Sequence, residues 1–312
     1  MSAEASLDAL PEGCIADALS LTSPRDACRL SLIASAFRSA AMSDAVWERF
    51  LPPDYRDIIS RSADAADLLA SASKKDLYFR LCDFPVLIDG DTMSFSLEKK
   101  SGKKCYMIGA RSLKIVWSDT PAYWKWISHP HSRFAEVAEL LDVCWLEISG
   151  TISMTFLSPN TTYAAYLVFA LLPSARGFDY HRDFIAEYNP VSAAIEIKIN
   201  GDDEDEAKKE QGVFLSTRED VTREEYRPMI LEEWGHRCSR AGRPNWLDPG
   251  TENNAPKFPK RRSHAAWMEV EIGEFFVKDG GQHGEIVMSL MEVRAHWKSG
   301  LIVEGIEIRP KE

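Results

Sequence analysis

Leu10 to Tyr55 reads LPEGCIADALSLTSPRDACRLSLIASAFRSAAMSDAVWERFLPPDY, a dense run of helix signals that carries no catalytic motif. Ser23 is a strong N-cap, Pro24 fills the first helical position where its missing N–H is harmless, and Asp26 stands three residues after the cap. Ala27, Leu30, Ile33, Ala34 and Phe37 then recur at helical spacing as one apolar stripe. Ser43 and Asp44 start another short helix with Val46, Trp47 and Phe50, and an earlier one is expected over Glu12 to Ser20. Three short helices in under about fifty residues make too small a body to shelter all these side chains. An exposed or partner-covered apolar surface follows.

Downstream, Arg56 to Leu81 is rich in Ala, Asp and Ser, with Leu68, Leu69, Leu77 and Leu81 at helical spacing. From Phe84 the period changes to alternation. Leu113, Ile115 and Trp117 alternate with Ser112, Lys114 and Val116, and Ile195, Ile197 and Ile199 with Glu196 and Lys198. Gly150 reads as a turn or bulge between Val143–Ile148 and Ile152–Phe156. Tyr163 to Leu171 is apolar on both faces, as a doubly covered strand should be. Trp267–Ile272, Glu285–Arg294 and Leu301–Ile308 are further strands.

The expected fold class is therefore an α + β multidomain chain. A small N-terminal three-helix module (7–55) and a helical connector (56–83) precede an all-β sandwich of jelly-roll type (84–312) with a polar insertion at about 200–265. That insertion holds the acidic run Asp202–Glu206, read as a solvated face, and Lys257–Arg262, a KFPKRR stretch with some likeness to a nuclear-import signal.

Composition narrows the function. A net charge of -11 opposes a grip on nucleic acid, which needs concentrated positive charge. The longest apolar run, Ala164–Pro173, is too short for a bilayer, and the acidic opening MSAEASLDAL lacks a signal-peptide core, so no membrane is expected. The 6 cysteines are scattered without CxxC pairs, which fits reduced thiols in the cytoplasm or nucleus.

The chemistry-bearing motifs are sparse. His129-Pro130-His131 and His236-Arg237-Cys238 each lack a matching second half, so neither metal nor cofactor is expected. Glu269 with Glu271, or Glu285 with Glu292, has no flanking motif of a glycosidase pair, and Gly280–Gly284 reads as a turn. No catalytic residue is assigned.

Two resemblances give these features a meaning. Leu-Pro at its start, Ser-Pro-Arg-Asp, Cys-Arg-Leu and Val-Trp make Leu10–Tyr55 resemble an F-box. In that family the segment binds the Skp adaptor of an SCF-type cullin-RING ubiquitin ligase. The resemblance implies adaptor contacts by Leu10, Pro11, Ile15, Leu19, Leu30, Val46 and Trp47, and a cullin as a further partner.

The second resemblance rests on SLKIVWSDTPAYW, VCWLEISGTI, TYAAYLVFAL, WMEVEIGEFF, GEIVMSLMEV and KSGLIVEGIEIRPK, taken in order. Together they resemble the plant phloem-protein-two family, whose lectin members include Nictaba. That likeness implies recognition of glycans containing N-acetylglucosamine, with the family's sugar-linked positions falling on Trp117, Trp124, Glu285 and Glu292. A pyranose stacks its apolar face on a flat ring, and carboxylates accept its hydroxyls. Asp119, Tyr123 and Trp126 lie near enough in sequence to assist. Trp117 ends an alternating run and has a core reading as well. Glu285 and Glu292 stand an odd number of residues apart, so an unbroken strand sends them to opposite faces, and Glu285 is the better candidate.

The expected role is a non-catalytic substrate receptor of a ubiquitin ligase, the β domain holding a target such as a glycoprotein. The alternatives are a free-standing nucleocytoplasmic stress lectin, and a ligase receptor that reads a peptide degron without sugar binding.

Overall fold

A computed structural model describes residues 10–178, 190–199, 208–216, 257–262, 266–279, 284–293 and 296–311. The Asp202–Glu206 run, His236-Arg237-Cys238, Gly280–His283 and most of the polar insertion lie outside the described residues. The chain divides into two compact units, Met1–Met107 and Ile108–Lys311, so the boundary expected near Phe84 falls some twenty residues later (about one hairpin).

The first unit holds α1 (Glu12–Ser20), α2 (Pro24–Leu30), α3 (Ser35–Ala40), α4 (Asp44–Phe50), α5 (Tyr55–Ser60), α6 (Ala65–Leu69), α7 (Lys74–Asp83), β1 (Val86–Ile88), β2 (Met93–Leu97) and β3 (Lys104–Gly109), the last running past the boundary. The caps act as their chemistry dictates. Ser23 Oγ accepts from Asp26 N at 3.1 Å, Ser43 Oγ from Ala45 N at 3.3 Å and Ser73 Oγ from Asp76 N at 3.1 Å.

The single helix expected from Pro24 through Phe37 is two. The chain turns after Leu30 and reaches Ala34 in extended conformation before α3 begins. That break takes Ile33 off the stripe and leaves it 71% exposed. The connector is also more than a spacer, because α7 packs on α4. Trp47 meets Phe50, Tyr78 and Phe79 with ring centroids 5.6, 5.2 and 5.2 Å away, and its Nε1 donates to Ala41 O at 2.8 Å.

The second unit contains β4 (Lys114–Ile115), β5 (Trp124–Ile127), β6 (Val137–Leu140), β7 (Leu146–Ser153), β8 (Thr161–Arg176), β9 (Val191–Ile199), β10 (Lys209–Val213), β11 (Lys260–Arg261), β12 (Met268–Val277), β13 (Gly284–Glu292) and β14 (Ser299–Pro310). Two antiparallel sheets result: β14-β8-β12-β11, with β6 also on β14 and β5 on β6, and the five-stranded β10-β9-β13-β7-β4. Two strands, β10 and β11, lie within the segment expected to be a loop-rich insertion. Each is recruited by an established strand, β9 and β12 respectively.

Tyr163–Leu171 does lie in a central strand, flanked by β14 and β12. Gly150 is no turn. It sits inside β7 opposite Met288, and a Cβ there would approach Leu113 Cδ2 at 2.8 Å and Ile306 Cδ1 at 3.3 Å. A glycine is needed because the sheets close tightly over it. Likewise Gly273, at a bulge in β12, leaves room for Ile195 of the opposite sheet, 2.7 Å from where its Cβ would stand. Leu146, Ile148, Ile152, Ile286, Met288 and Leu290 fill the space between the sheets, each 2% exposed or less.

One polar cluster lies within this β unit. Glu307 of β14 is bonded by Arg262 Nη1 and Arg309 Nη1, both at 2.7 Å, and faces Arg133 Nη2 at 3.4 Å. Arg309 also reaches Glu269 at 2.6 Å and covers the Tyr166 ring at 3.8 Å. Burial opposes ionisation of Glu307, yet the field of the three guanidinium groups prevails and pulls its pKa down to about 2. Arg262, the last residue of the KFPKRR stretch, thus has a structural task.

Candidate functional site

In the helical unit the expected adaptor set divides in two. Leu10 is 46% exposed, Pro11 is exposed and Leu30 is half-buried, whereas Ile15, Leu19, Val46 and Trp47 are each 2% exposed or less. The expectation of an open surface is corrected for those four. The α7 rings supplied by the connector close over Trp47, and α1 packs on α3 and α4. Those four hold the fold in place. Between Leu10 and Tyr55 the exposed large apolar side chains are Leu10 (46%), Leu21 (71%), Leu32 (77%), Ile33 (71%) and Met42 (55%). Four of these five were not singled out for docking, because helix spacing alone does not show where the second helix breaks.

In the β unit the two tryptophans expected to face sugar part company. Trp124, on β5, is 2% exposed, and its Nε1 donates to Val116 O at 3.1 Å. It is corrected to a core residue. Trp117, given a core reading from its alternating run, is 40% exposed with φ at 62°. The strand ends at Ile115, so alternation stops before the indole.

The segment around Trp117 is held from beneath. Trp124 Nε1 bonds Val116 O, Trp126 Nε1 bonds Ser118 O at 3.2 Å, and the amide of Thr120 donates to Trp117 O at 3.0 Å. The Arg111 guanidinium stacks on the Trp126 ring at 3.8 Å and bonds Glu136. Tyr123 places its ring 5.4 Å from that of Trp117. An exposed indole beside a phenol, on a segment already bonded in one shape, is a preorganised platform for a flat apolar ligand face.

The two predicted carboxylates fall as strand parity requires. Glu285 is exposed and pairs across to Ser153 at one end of β13, while Glu292 pairs across to Leu146 at the other. Glu292 is 4% exposed and faces Lys298 Nζ at 4.0 Å, so it is corrected from sugar contact to buried counter-charge. Glu285 lies seven residues away along the strand, about 23 Å. The Trp117 segment bonds β7 at the Leu146 end, through Val116 N to Glu147 O at 3.1 Å. Glu285 is therefore not brought to it.

The backbone bond from Val116 to Glu147 brings this segment to the start of β7, which Trp145 precedes. Trp145 is 43% exposed, and its Nε1 donates to Glu147 Oε2 at 3.0 Å. Strand parity contained this signal, since inward Leu146, Ile148 and Ile152 force Trp145 outward. Among the described residues no group of three or more metal-ligating side chains occurs, and no helix is long and apolar enough to cross a membrane. His129 instead packs its ring 4.6 Å from Trp267, which bonds His131 O.

A helical unit ahead of a two-sheet antiparallel unit is the order in which the sequence comparisons find two known parts. The phloem protein 2 family model matches residues 103–310. The F-box protein At2g02240 of Arabidopsis thaliana is 40% identical over 304 residues, covering 97% of this chain and 80% of its own. From the same plant, F-box protein PP2-B1 is 40% identical over 323 residues (97% and 90% coverage), and the putative F-box protein PP2-B12 is 41% identical over 304 residues (97% of each). The chain belongs to the F-box proteins that carry a phloem protein 2 domain.

Proposed function

We propose that this protein is the substrate-receptor subunit of an SCF-type cullin-RING ubiquitin ligase. Its helical unit docks the Skp adaptor, and through it the cullin. Its β unit, a jelly-roll lectin in this reading, holds a target through N-acetylglucosamine-containing glycans at Trp117. The helical segment corresponds to the three-helix docking fold with its second helix broken. Such a receptor carries out no bond chemistry and works by raising the local concentration of target. The observation that carries the reading is the exposure of Leu10, Leu21, Leu32, Ile33 and Met42 on a helical unit whose relatives are named F-box proteins. Cys14, Cys28, Cys82 and Cys144 carry free thiols, which supports a place in the reducing cytoplasm or nucleus.

A pull-down with purified Skp adaptor tests the docking. Wild type is retained, and Leu32→Ala with Ile33→Ala weakens retention without changing the melting temperature, because both side chains project into solvent. Failure of the folded wild type to bind the adaptor removes the ligase reading. A glycan array tests the target. An array on which the folded wild type binds nothing removes the sugar and leaves a protein degron as what the receptor reads.

A further inference from the structure

The helical unit carries a second solvent-facing feature, on α7 and so outside the Leu10–Tyr55 stretch. Phe79, Arg80, Asp83 and Phe84, at the C-terminal end of α7, line a cavity of about 560 Å³. They come together because Phe79 and Asp83, like Arg80 and Phe84, stand one helical turn apart. Phe84 is 69% exposed, so its ring forms a wall of the cavity with water against it. Arg80 is exposed as well, and among the described residues its guanidinium makes no hydrogen bond or ion pair.

A basic turn borders this cavity. Residues 99–104 read KKSGKK and lead from β2 into β3. Lys99 Nζ reaches Asp83 Oδ1 at 2.8 Å and stands 5.5 Å from the centroid of the Phe79 ring, which sets the turn at the rim. Tyr78 Oη fastens it by donating to Glu98 O at 3.3 Å and Lys99 O at 3.2 Å. Glu98 spends its carboxylate on the turn itself, accepting from Lys100 N at 3.0 Å and Ser101 N at 2.7 Å. From α2, the amide of Arg25 donates to Lys100 O at 3.4 Å, which adds another exposed cation. Arg80, Lys99, Lys100 and Arg25 thus follow one another outward from the cavity, on a chain whose net charge is -11.

We propose that this cavity and its basic rim dock an acidic segment of a protein partner, one that carries a bulky apolar side chain among aspartates and glutamates. The occupant follows from the groups present. Phe79 and Phe84 offer apolar surface to one large side chain. Arg80 takes a carboxylate through its two-point fork, and the lysines of the turn take further ones as point charges. On a chain that repels acidic partners overall, a local cluster of cations selects where such a partner lands. A cavity of this size suits one or two side chains of a short segment, and the broad plane of a bilayer cannot enter it. Asp83 within the lining opposes a phosphate backbone.

Fluorescence anisotropy of the full chain with a labelled peptide, one phenylalanine among aspartates and glutamates, tests the proposal. Wild type binds the peptide, and added salt weakens binding. Alanine in place of the peptide's phenylalanine costs about tenfold in affinity, and Phe84→Ala in the protein abolishes that preference. Arg80→Glu combined with Lys100→Glu weakens both peptides by about tenfold or more. All three side chains are exposed, so these variants keep the melting temperature of the wild type and its retention by the Skp adaptor. Absence of peptide binding by the wild type, equal affinity for the two peptides, or unchanged binding after charge reversal overturns the proposal. Loss of adaptor retention in Phe84→Ala also overturns it and assigns the cavity to the adaptor. Binding to phosphatidylserine vesicles with none to the peptides overturns it in favour of a membrane surface.

Discussion

Removing an indole means something different at Trp117 than at Trp124. Trp124 lies between β5 and the segment it steadies, so Trp124→Ala opens a cavity and orphans Val116 O. A cost of about 3–5 kcal/mol is expected in urea unfolding. Trp117→Ala gives up a solvent-exposed ring and is expected to shift the same midpoint by less than about 1 kcal/mol while reducing glycan binding. Equal losses of stability in the two variants contradict this division. Residue-level reading of the sequence placed both tryptophans on the sugar and gave a core reading beside it to Trp117, whereas Trp124 is the buried one of the two. The reason is physical: alternation predicts facing only while the strand lasts, and β4 stops at Ile115. For Glu285 and Glu292 the strand is unbroken, and parity alone separated them correctly into an exposed and a buried carboxylate.

Among the elements, the N-terminal helices were legible wherever a cap or an apolar stripe marked them. Glu12–Ser20 and the helices begun by Ser23 and Ser43 are present. The break at Ser31–Ala34 carried no proline or glycine to announce it. Gly150 misled for the opposite reason, since a glycine signals either a turn or a close approach and only the facing sheet decides between them. Gly273 has the same origin. Gly273→Ala places a methyl group against Ile195 Cγ1 and forces the sheets apart or β12 out of register. The expected cost is about 1–3 kcal/mol, seen as a lower melting temperature. Gly273→Ala combined with Ile195→Val, which relieves the crowding, is expected to recover part of it; no recovery assigns the cost to the bulge itself.

At the scale of the whole molecule, acid stability reports on the Glu307 cluster. Its carboxyl has a folded pKa of about 2 against an ordinary 4.5, so its contribution is complete above pH 4.5 and is lost as pH falls towards 2. The difference corresponds to about 3 kcal/mol at neutral pH. Glu307→Gln leaves Arg133, Arg262 and Arg309 without that charge and is expected to unfold earlier in urea at pH 7. The gap between wild type and variant narrows as the pH is lowered from about 4.5. A gap that stays constant down to pH 3 removes the charge argument. This cluster had no sequence signature: its members come from four separated stretches, and only the folded sheet assembles them.

The backbone at Trp117 is left-handed, a conformation that Asp89, Asp91 and Asn160 adopt with short polar side chains suited to it. For an indole the same geometry is unfavourable by about 1–2 kcal/mol. Within the fold the ring is 40% exposed and rests beside that of Tyr123. A bulky aromatic kept where the main chain would suit glycine is a standing concession of stability. The bonds from Trp124, Trp126 and Thr120 to the carbonyls on either side are what hold the main chain to it.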